Sequence, residues 1–386
     1  MKTMMKKMFL TVCSFILIAG VFSKKVDANE QVDDYQIIKD IVLEELIKNY
    51  SEYYDVTSHN IEIYETDIKG NKADIYLFAS LDTILKAKNV SELPYIEGML
   101  EEVNISAAEK NSLDTEVAIT NAIKINNSNR LSNSQIAAIA NQISETSNLV
   151  EQYIGTVSDT NFYLKVTVDI NNGIVVPDTI QIFVEDIAGN YEPVENAYPK
   201  SREQMKNEGA EVVQYCIENP ERIAVRASNS ALAARSTSSV SYMLQYTSNP
   251  TTCEIDGASC TSKQDSSKWN NESYPYSSTY AHNDCADYVS QALYESGIPL
   301  SGNWQIRSST WNTVSGLVDH MVNRGIFVEA TSTEPITAGS VVRMGSGHIV
   351  MITYADTVSL KYSGHTHDRK NVTYYKGSGY TEYNLW

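Results

Sequence analysis

A polar loop that runs into an amphipathic helix is the stretch that most constrains this chain. Residues 283 to 293 read NDCADYVSQAL, and apolar side chains recur there at helical spacing. Asn283 or Asp284 can cap such a helix, so Cys285 falls at or next to its first position. The positive field of a helix N-terminus favours a thiolate over a thiol, and the pattern therefore predicts a nucleophilic cysteine.

The N-terminus has the three parts of a secretory signal peptide. Lysines precede an apolar run from Met8 to Phe22, and small residues near Ala28 supply a cleavage point. The run is shorter than the roughly 20 residues that a membrane-spanning helix needs. We therefore expect residues 1–28 to be removed and the protein to be secreted, without stable membrane insertion. A retained N-terminal anchor is the alternative.

The charge balance argues against a nucleic-acid partner. The 386 residues include 48 acidic and 30 basic side chains, which gives a net charge of −18 with histidine neutral. No basic stripe with interleaved aromatic residues occurs in the sequence. A chain this acidic is a poor partner for phosphate backbones. The sequence leaves the oligomeric state open.

Length and pattern divide the mature chain into two folded regions, because 386 residues exceed one ordinary core. Residues 29–226 combine helical and hairpin patterns and are predicted to form an α+β region of unknown role. Residues 227–239 are rich in Ala, Ser and Arg and are the predicted linker. Residues 240–386 show two helices followed by an antiparallel meander, again an α+β layout.

The five cysteines are too sparse for a disulfide scaffold. Cys13 lies in the predicted signal peptide. Cys253 and Cys260 flank a short loop that contains glycine and could pair. Cys216 falls within a predicted helix and is expected to be a small buried side chain. Cys285 has no obvious mate.

A cysteine nucleophile needs a base within hydrogen-bond reach and a third group that orients the base. His348 is the best candidate base, because the sequence Gly345-Ser346-Gly347 leads directly into it and an apolar strand follows. This placement holds an imidazole at the start of a rigid strand beside open backbone.

Strand parity selects the third group. If Ala355 and Asp356 form a two-residue turn, His348 faces the next strand diagonally to His365, and both lie on one face of the sheet. Asp368 then lies on the opposite face. His365 is the predicted orienting residue, and Asp368 is the fallback if a bulge shifts the register.

A metal site built from His348, His365 and His367 is the competing interpretation of the histidines. Zinc sites usually recruit cysteine or carboxylate ligands at short spacing, and Cys285 is some sixty residues away. We therefore predict neither a metal nor another cofactor. Satisfied structural histidines are the third possibility.

Five motifs in a fixed order resemble a bacterial amidase domain family that is similar to papain-like cell-wall hydrolases, including the CHAP type. They occupy residues 283–293, Trp304, residues 311–317, residues 347–353 and residues 362–369. The resemblance covers about residues 236–386. The family usually has Asn where Asp287 stands, and Gly-Asp where Gly339-Ser340 stands.

The resemblance implies a papain-like fold and a secreted bacterial cysteine hydrolase that cleaves amide bonds, with peptidoglycan as substrate. It assigns Cys285 as nucleophile, His348 as base and His365 as third member of a triad. In this mechanism the backbone N–H of Cys285 helps to hold the oxyanion. Whether the enzyme is an N-acyl amidase or an endopeptidase stays open. The alternatives are a catalytically silent wall-binding or adhesion module and a cysteine peptidase acting on proteins.

Overall fold

The computed structural model describes residues 35–106, 109, 115–127, 130–172, 174–227, 231–255, 263–275, 283–331 and 334–385. The predicted signal peptide, residues 1–28, lies outside these residues. The described chain combines helices with one large mixed sheet, and the prediction of an α+β fold is confirmed. In the described residues, no helix is both long and apolar enough to span a membrane.

The first half begins with a helix and a long hairpin. Along the chain, three helices then precede the remaining strands of this half and two helices follow them. Its helices are α1 (Gln36–Tyr50), α2 (Pro94–Glu102), α3 (Glu116–Asn127), α4 (Asn133–Glu151), α5 (Arg202–Glu218) and α6 (Pro220–Ala227). Its strands are β1 (Tyr54–Lys69), β2 (Lys72–Leu85), β3 (Ser158–Asn171), β4 (Ile174–Val175), β5 (Gln181–Glu185) and β6 (Tyr191–Pro193).

In the second half the helices precede the strands along the chain, and the last strand lies close to the C-terminus. Its helices are α7 (Ala231–Gln245), α8 (Cys285–Glu295), α9 (Ser309–Asn312) and α10 (Val314–Asn323). Its strands are β7 (Phe327–Glu329), β8 (Val341–Met344), β9 (His348–Ala355), β10 (Leu360–Gly364), β11 (Arg369–Tyr374) and β12 (Tyr380–Leu385).

All twelve of these strands belong to one sheet that runs through both halves. The main path has the order β1-β2-β3-β11-β10-β9-β8-β12-β7, while β4 and β5 pair with β3 and β6 pairs with β5. The two halves meet where β3 pairs in parallel with β11, at Asn161 and Val372. Neighbouring strands elsewhere in the sheet are antiparallel.

The two faces of β9 carry different cores, which is what positions the site. Ile349 and Met351 pack with the helices α7, α8 and α10 in one cluster. Val350 and Ile352 point to the other face and pack with Tyr163 from the first half. Because side chains alternate along a strand, each residue of β9 is assigned to one face by its parity.

Residues 231–239 of the predicted linker belong to helix α7. An alanine-rich stretch has high helix propensity even without clear periodicity. The end of this helix is also fixed by packing, since Met243 is buried and its carbonyl accepts a hydrogen bond of 2.6 Å from the Tyr288 hydroxyl in α8. Tertiary contacts therefore stabilise the C-terminal end of this helix.

Buried polar side chains join the two halves across the sheet. Arg369 is 2% exposed and donates to Glu185 at 2.6 Å, while its guanidinium stacks over the ring of Tyr163. Lys361 is fully buried and donates to the Ser158 hydroxyl at 2.6 Å. Such groups are costly to bury without partners, so their pairing ties the halves together.

Candidate active site around Cys285

Cys285 is the first residue of α8, as the sequence predicts, and Asp284 is its N-cap residue. The thiol is free, and the residue is only 4% exposed. The helix ends at Glu295 and is followed by Gly297 in a left-handed conformation, which terminates helices. The local pattern therefore places the sulfur where the helix field is strongest.

The thiol is nevertheless not activated in this arrangement. Burial, followed by the negative charge of Asp284, raises the pKa of Cys285 to about 11. The Thr366 hydroxyl and backbone hydrogen bonds from Ile349 and Ala286 oppose that rise. Desolvation disfavours the charged form more strongly than one helix N-terminus favours it. The expectation of a thiolate is corrected: Cys285 rests as a neutral thiol.

The backbone N–H of Cys285 is also engaged. It donates a hydrogen bond of 3.2 Å to the Oγ1 atom of Thr366, in the turn between β10 and β11. The resemblance assigned this N–H to the oxyanion. In the structure this N–H is occupied by a side chain of the protein instead.

His365 lies on the same side as Cys285, where both of its ring nitrogens face acceptors. Nδ1 is 2.6 Å from Oδ2 of Asp284, and Nε2 is 2.9 Å from the carbonyl oxygen of Tyr246. The ring is stacked between Tyr288 and Trp269. Burial opposes the charged form, but Asp284 and further acceptors outweigh it and raise the pKa of His365. His365 is therefore a buried imidazolium paired with Asp284.

The predicted register between β9 and β10 is wrong, and the error reverses the parity argument. Leu360 pairs with Ala355, so four residues, not two, connect the strands, but this even change alone keeps the predicted parity. A further register shift between Lys361 and Tyr362 pairs Ser363 with Met351, and this irregularity moves His365 to the other face. Asp356 creates this longer turn by accepting the N–H groups of Val358 and Ser359. Side-chain acceptors of this kind build turns that hydrophobic pattern does not reveal.

His348 consequently lies on the opposite face of the sheet from Cys285 and His365. It pairs with Met344 of β8 and is 6% exposed. Burial and the nearby His367 and Arg369 lower the pKa of His348 to about 3, so the imidazole is neutral. Among the described residues, no hydrogen bond joins His348 to Cys285 or to His365. The structure therefore does not assemble the predicted triad.

Asp368, the fallback orienting residue, is engaged elsewhere. It is fully buried, accepts the backbone N–H of Asp265 at 2.7 Å and accepts the indole N–H of Trp269 at 2.9 Å. Burial raises the pKa of Asp368 to about 6. Its contacts fix the loop that carries Trp269, which in turn stacks on His365.

The three histidines of the alternative metal site do not converge. His365 lies beside α8, whereas His367 is on the other side, with Nδ1 4.0 Å from Glu185. Across the described ranges, no group of three histidine, cysteine or acidic side chains could hold a metal ion.

Asp284 and Thr366 are the site residues that sequence reasoning missed. Asp284 was visible only as a capping residue, although its side chain makes no capping hydrogen bond and pairs with His365 instead. Thr366 lies within the motif at residues 362–369, but that motif assigned it no role. Its role depends on the turn geometry that brings it to the start of α8.

Asp287, which departs from the family pattern, is held inside the site. Its carboxylate accepts the indole N–H of Trp311 and the side-chain amide of Gln291. Burial raises the pKa of Asp287 to about 6.

Of the four cysteines that would remain after export, Cys216 and Cys285 are buried thiols. Cys253 is disulfide-bonded, and Cys260, its expected mate, lies outside the described residues.

Comparisons with known proteins give no relative for this chain: no family model, no curated protein and no solved structure matches it.

Proposed function

We propose that this chain is a secreted cysteine hydrolase that cleaves amide bonds, with peptidoglycan as its substrate and Cys285 as its nucleophile. One observation carries the proposal: a free thiol stands at the first residue of α8, with hydrogen-bond donors from Thr366, Ile349 and Ala286 around its sulfur. Donors of this kind favour a thiolate once the site opens to solvent or substrate. The order of the sequence motifs supports the same class of enzyme.

His348 is the base in this proposal, and it must turn to the helix face to act. Its neighbour Ile349 already contacts the sulfur through its backbone. The imidazole reaches the helix face if the backbone at the start of β9 rotates and the pairing of His348 with Met344 opens. The exposed turn before β9 contains Gly345 and Gly347, and glycine accommodates such a change at low cost. The described arrangement is then a resting state.

In the proposed reaction, the Cys285 sulfur attacks the carbonyl carbon of an amide. His348 takes the thiol proton and gives it to the leaving amine, and water then releases the acyl group from the enzyme. His365 does not orient His348, because both of its ring nitrogens are already engaged. Its task in this scheme is to hold Asp284 at the start of α8.

A catalytically silent wall-binding module is the second candidate function. The raised pKa of Cys285 and the position of His348 favour it, since neither a thiolate nor a base is assembled. In a module of this kind the buried thiol is only a structural side chain.

Incubation of the full chain with purified sacculi separates the two candidates. A hydrolase releases fragments with new amino and carboxyl ends, and mass spectrometry of those ends distinguishes an N-acyl amidase from an endopeptidase. A silent module sediments with the sacculi and releases nothing. Cleavage of an unfolded protein substrate, with no release from sacculi, indicates a peptidase that acts on proteins.

A further inference from the structure

Thr366 is held in a backbone conformation that β-branched residues rarely adopt. Its φ is +82°, in the left-handed region that favours glycine. Such a conformation persists only where surrounding contacts fix it, and it tends to occur at functional sites. The contacts of this turn therefore hold Thr366 in its conformation.

The turn binds two consecutive residues at the start of α8. His365 holds the carboxylate of Asp284 at 2.6 Å, and the next residue, Thr366, accepts the N–H of Cys285 at 3.2 Å. Asp284 stands at the N-cap position but makes no capping hydrogen bond of its own. Thr366 thus supplies an acceptor for a helix N-terminus whose own cap is engaged elsewhere.

The hydroxyl of Thr366 can serve the sulfur at the same time. Its oxygen accepts the backbone N–H, which leaves the hydroxyl hydrogen available for donation. Thr366 is among the groups that favour the charged form of the Cys285 thiol. Valine has the same shape but neither accepts nor donates a hydrogen bond, so both interactions depend on one oxygen atom.

We infer that Thr366 is a positioning residue for Cys285, because its hydroxyl bridges the backbone N–H and the sulfur of this residue. The inference rests on the proposed function for the role of the thiol as nucleophile. It adds that the turn between β10 and β11 fixes where that nucleophile stands.

Two variants of the full chain test the inference without an assay of hydrolysis. Thr366→Val removes the hydroxyl and keeps the shape, whereas Thr366→Ser keeps the hydroxyl. Hydrogen exchange of the Cys285 amide should become about tenfold faster in Thr366→Val, since its acceptor is lost. Alkylation of Cys285 by iodoacetamide at pH 8 should become about tenfold slower, because a donor to the thiolate is lost. Thr366→Ser should match the wild type in both.

Unchanged amide exchange or unchanged alkylation in a folded Thr366→Val protein would overturn the inference, as would equal loss in Thr366→Ser. If Thr366→Val does not unfold cooperatively on heating, Thr366→Ala replaces it and is judged by the amide exchange. Neither the hydrogen exchange of the Cys285 amide nor the alkylation of the Cys285 thiol by iodoacetamide requires amide cleavage by the protein. A chain that fails to digest sacculi but shows these changes refutes the proposed function and not the role of Thr366.

Discussion

Asp284 and His365 form a buried ion pair directly beside the thiol of Cys285. Oδ2 of Asp284 lies 2.6 Å from Nδ1 of His365, and both residues are less than a tenth exposed. The pair joins the residue before the thiol to the turn that covers it. The contribution of this pair to the free energy of unfolding can therefore be measured without an assay of catalysis.

The first prediction concerns this pair. The raised pKa of His365 means that its contribution is fully present below the unfolded pKa of 6.5 and is lost as pH rises through the folded pKa. His365→Gln should lower the free energy of unfolding by about 3 kcal/mol at pH 6 and by less at pH 9, as measured in urea. His59→Gln, on an exposed part of β1, is the control. A loss of the same size at both pH values would contradict an imidazolium.

The second prediction concerns His348, whose pKa shift has the opposite sign. With the folded pKa lowered to about 3, its contribution is present above the unfolded value of 6.5 and is lost as pH falls. Relative to His348→Gln, the wild type should lose about 2 kcal/mol of unfolding free energy between pH 8 and pH 5. A constant difference between the two proteins would show that His348 is not buried as a neutral imidazole.

The third prediction concerns the union of the two halves. Glu185→Gln leaves the buried guanidinium of Arg369 without its carboxylate and should cost about 3–5 kcal/mol in urea unfolding. Glu97→Gln removes the partner of Arg202, whose side chain is half exposed, and should cost less than about 1 kcal/mol. Equal effects would mean that the Arg369 pair is open to water.

The same unfolding curves report whether the halves unfold together. Because the sheet continues from β3 into β11, we expect a single cooperative transition in the wild type. Two separate transitions would contradict this coupling and restore the picture of independent domains.

The fourth prediction tests which histidine is the base. His348→Asn should reduce amide cleavage by at least about a hundredfold if His348 takes the thiol proton. His367→Asn is the matched control, because His367 lies on the same face with a pKa that burial likewise lowers, to about 4. Equal losses in both variants would assign the effect to packing. An unaffected His348→Asn protein would remove His348 from the mechanism.

The site shows where sequence reasoning succeeds. The start of α8 at Cys285 and the start of β9 at His348 both agree with prediction. Each depends on strong local signals, which are a capping residue before helical periodicity and glycines before an apolar run. Such signals involve neighbours in sequence, so one chain is enough to find them.

The relation between those two elements could not be predicted in the same way. It depended on the register between β9 and β10, which shifts by one residue between Lys361 and Tyr362. A shift of one residue in the pairing moves every following side chain of the strand to the other face. His365 was thereby assigned to the face of His348, whereas it lies with Cys285. Burial, which raises the pKa of Cys285, was likewise invisible in the sequence.

The appearance of new amino ends in purified sacculi treated with Cys285→Ala tests the central claim most directly. Cys216→Ala is the matched control, since Cys216 is also a buried thiol in the described part of the chain. We predict that Cys285→Ala abolishes the appearance of new amino ends while Cys216→Ala retains it, with both proteins folded. Undiminished release by Cys285→Ala would contradict the proposal that this chain is a cysteine hydrolase.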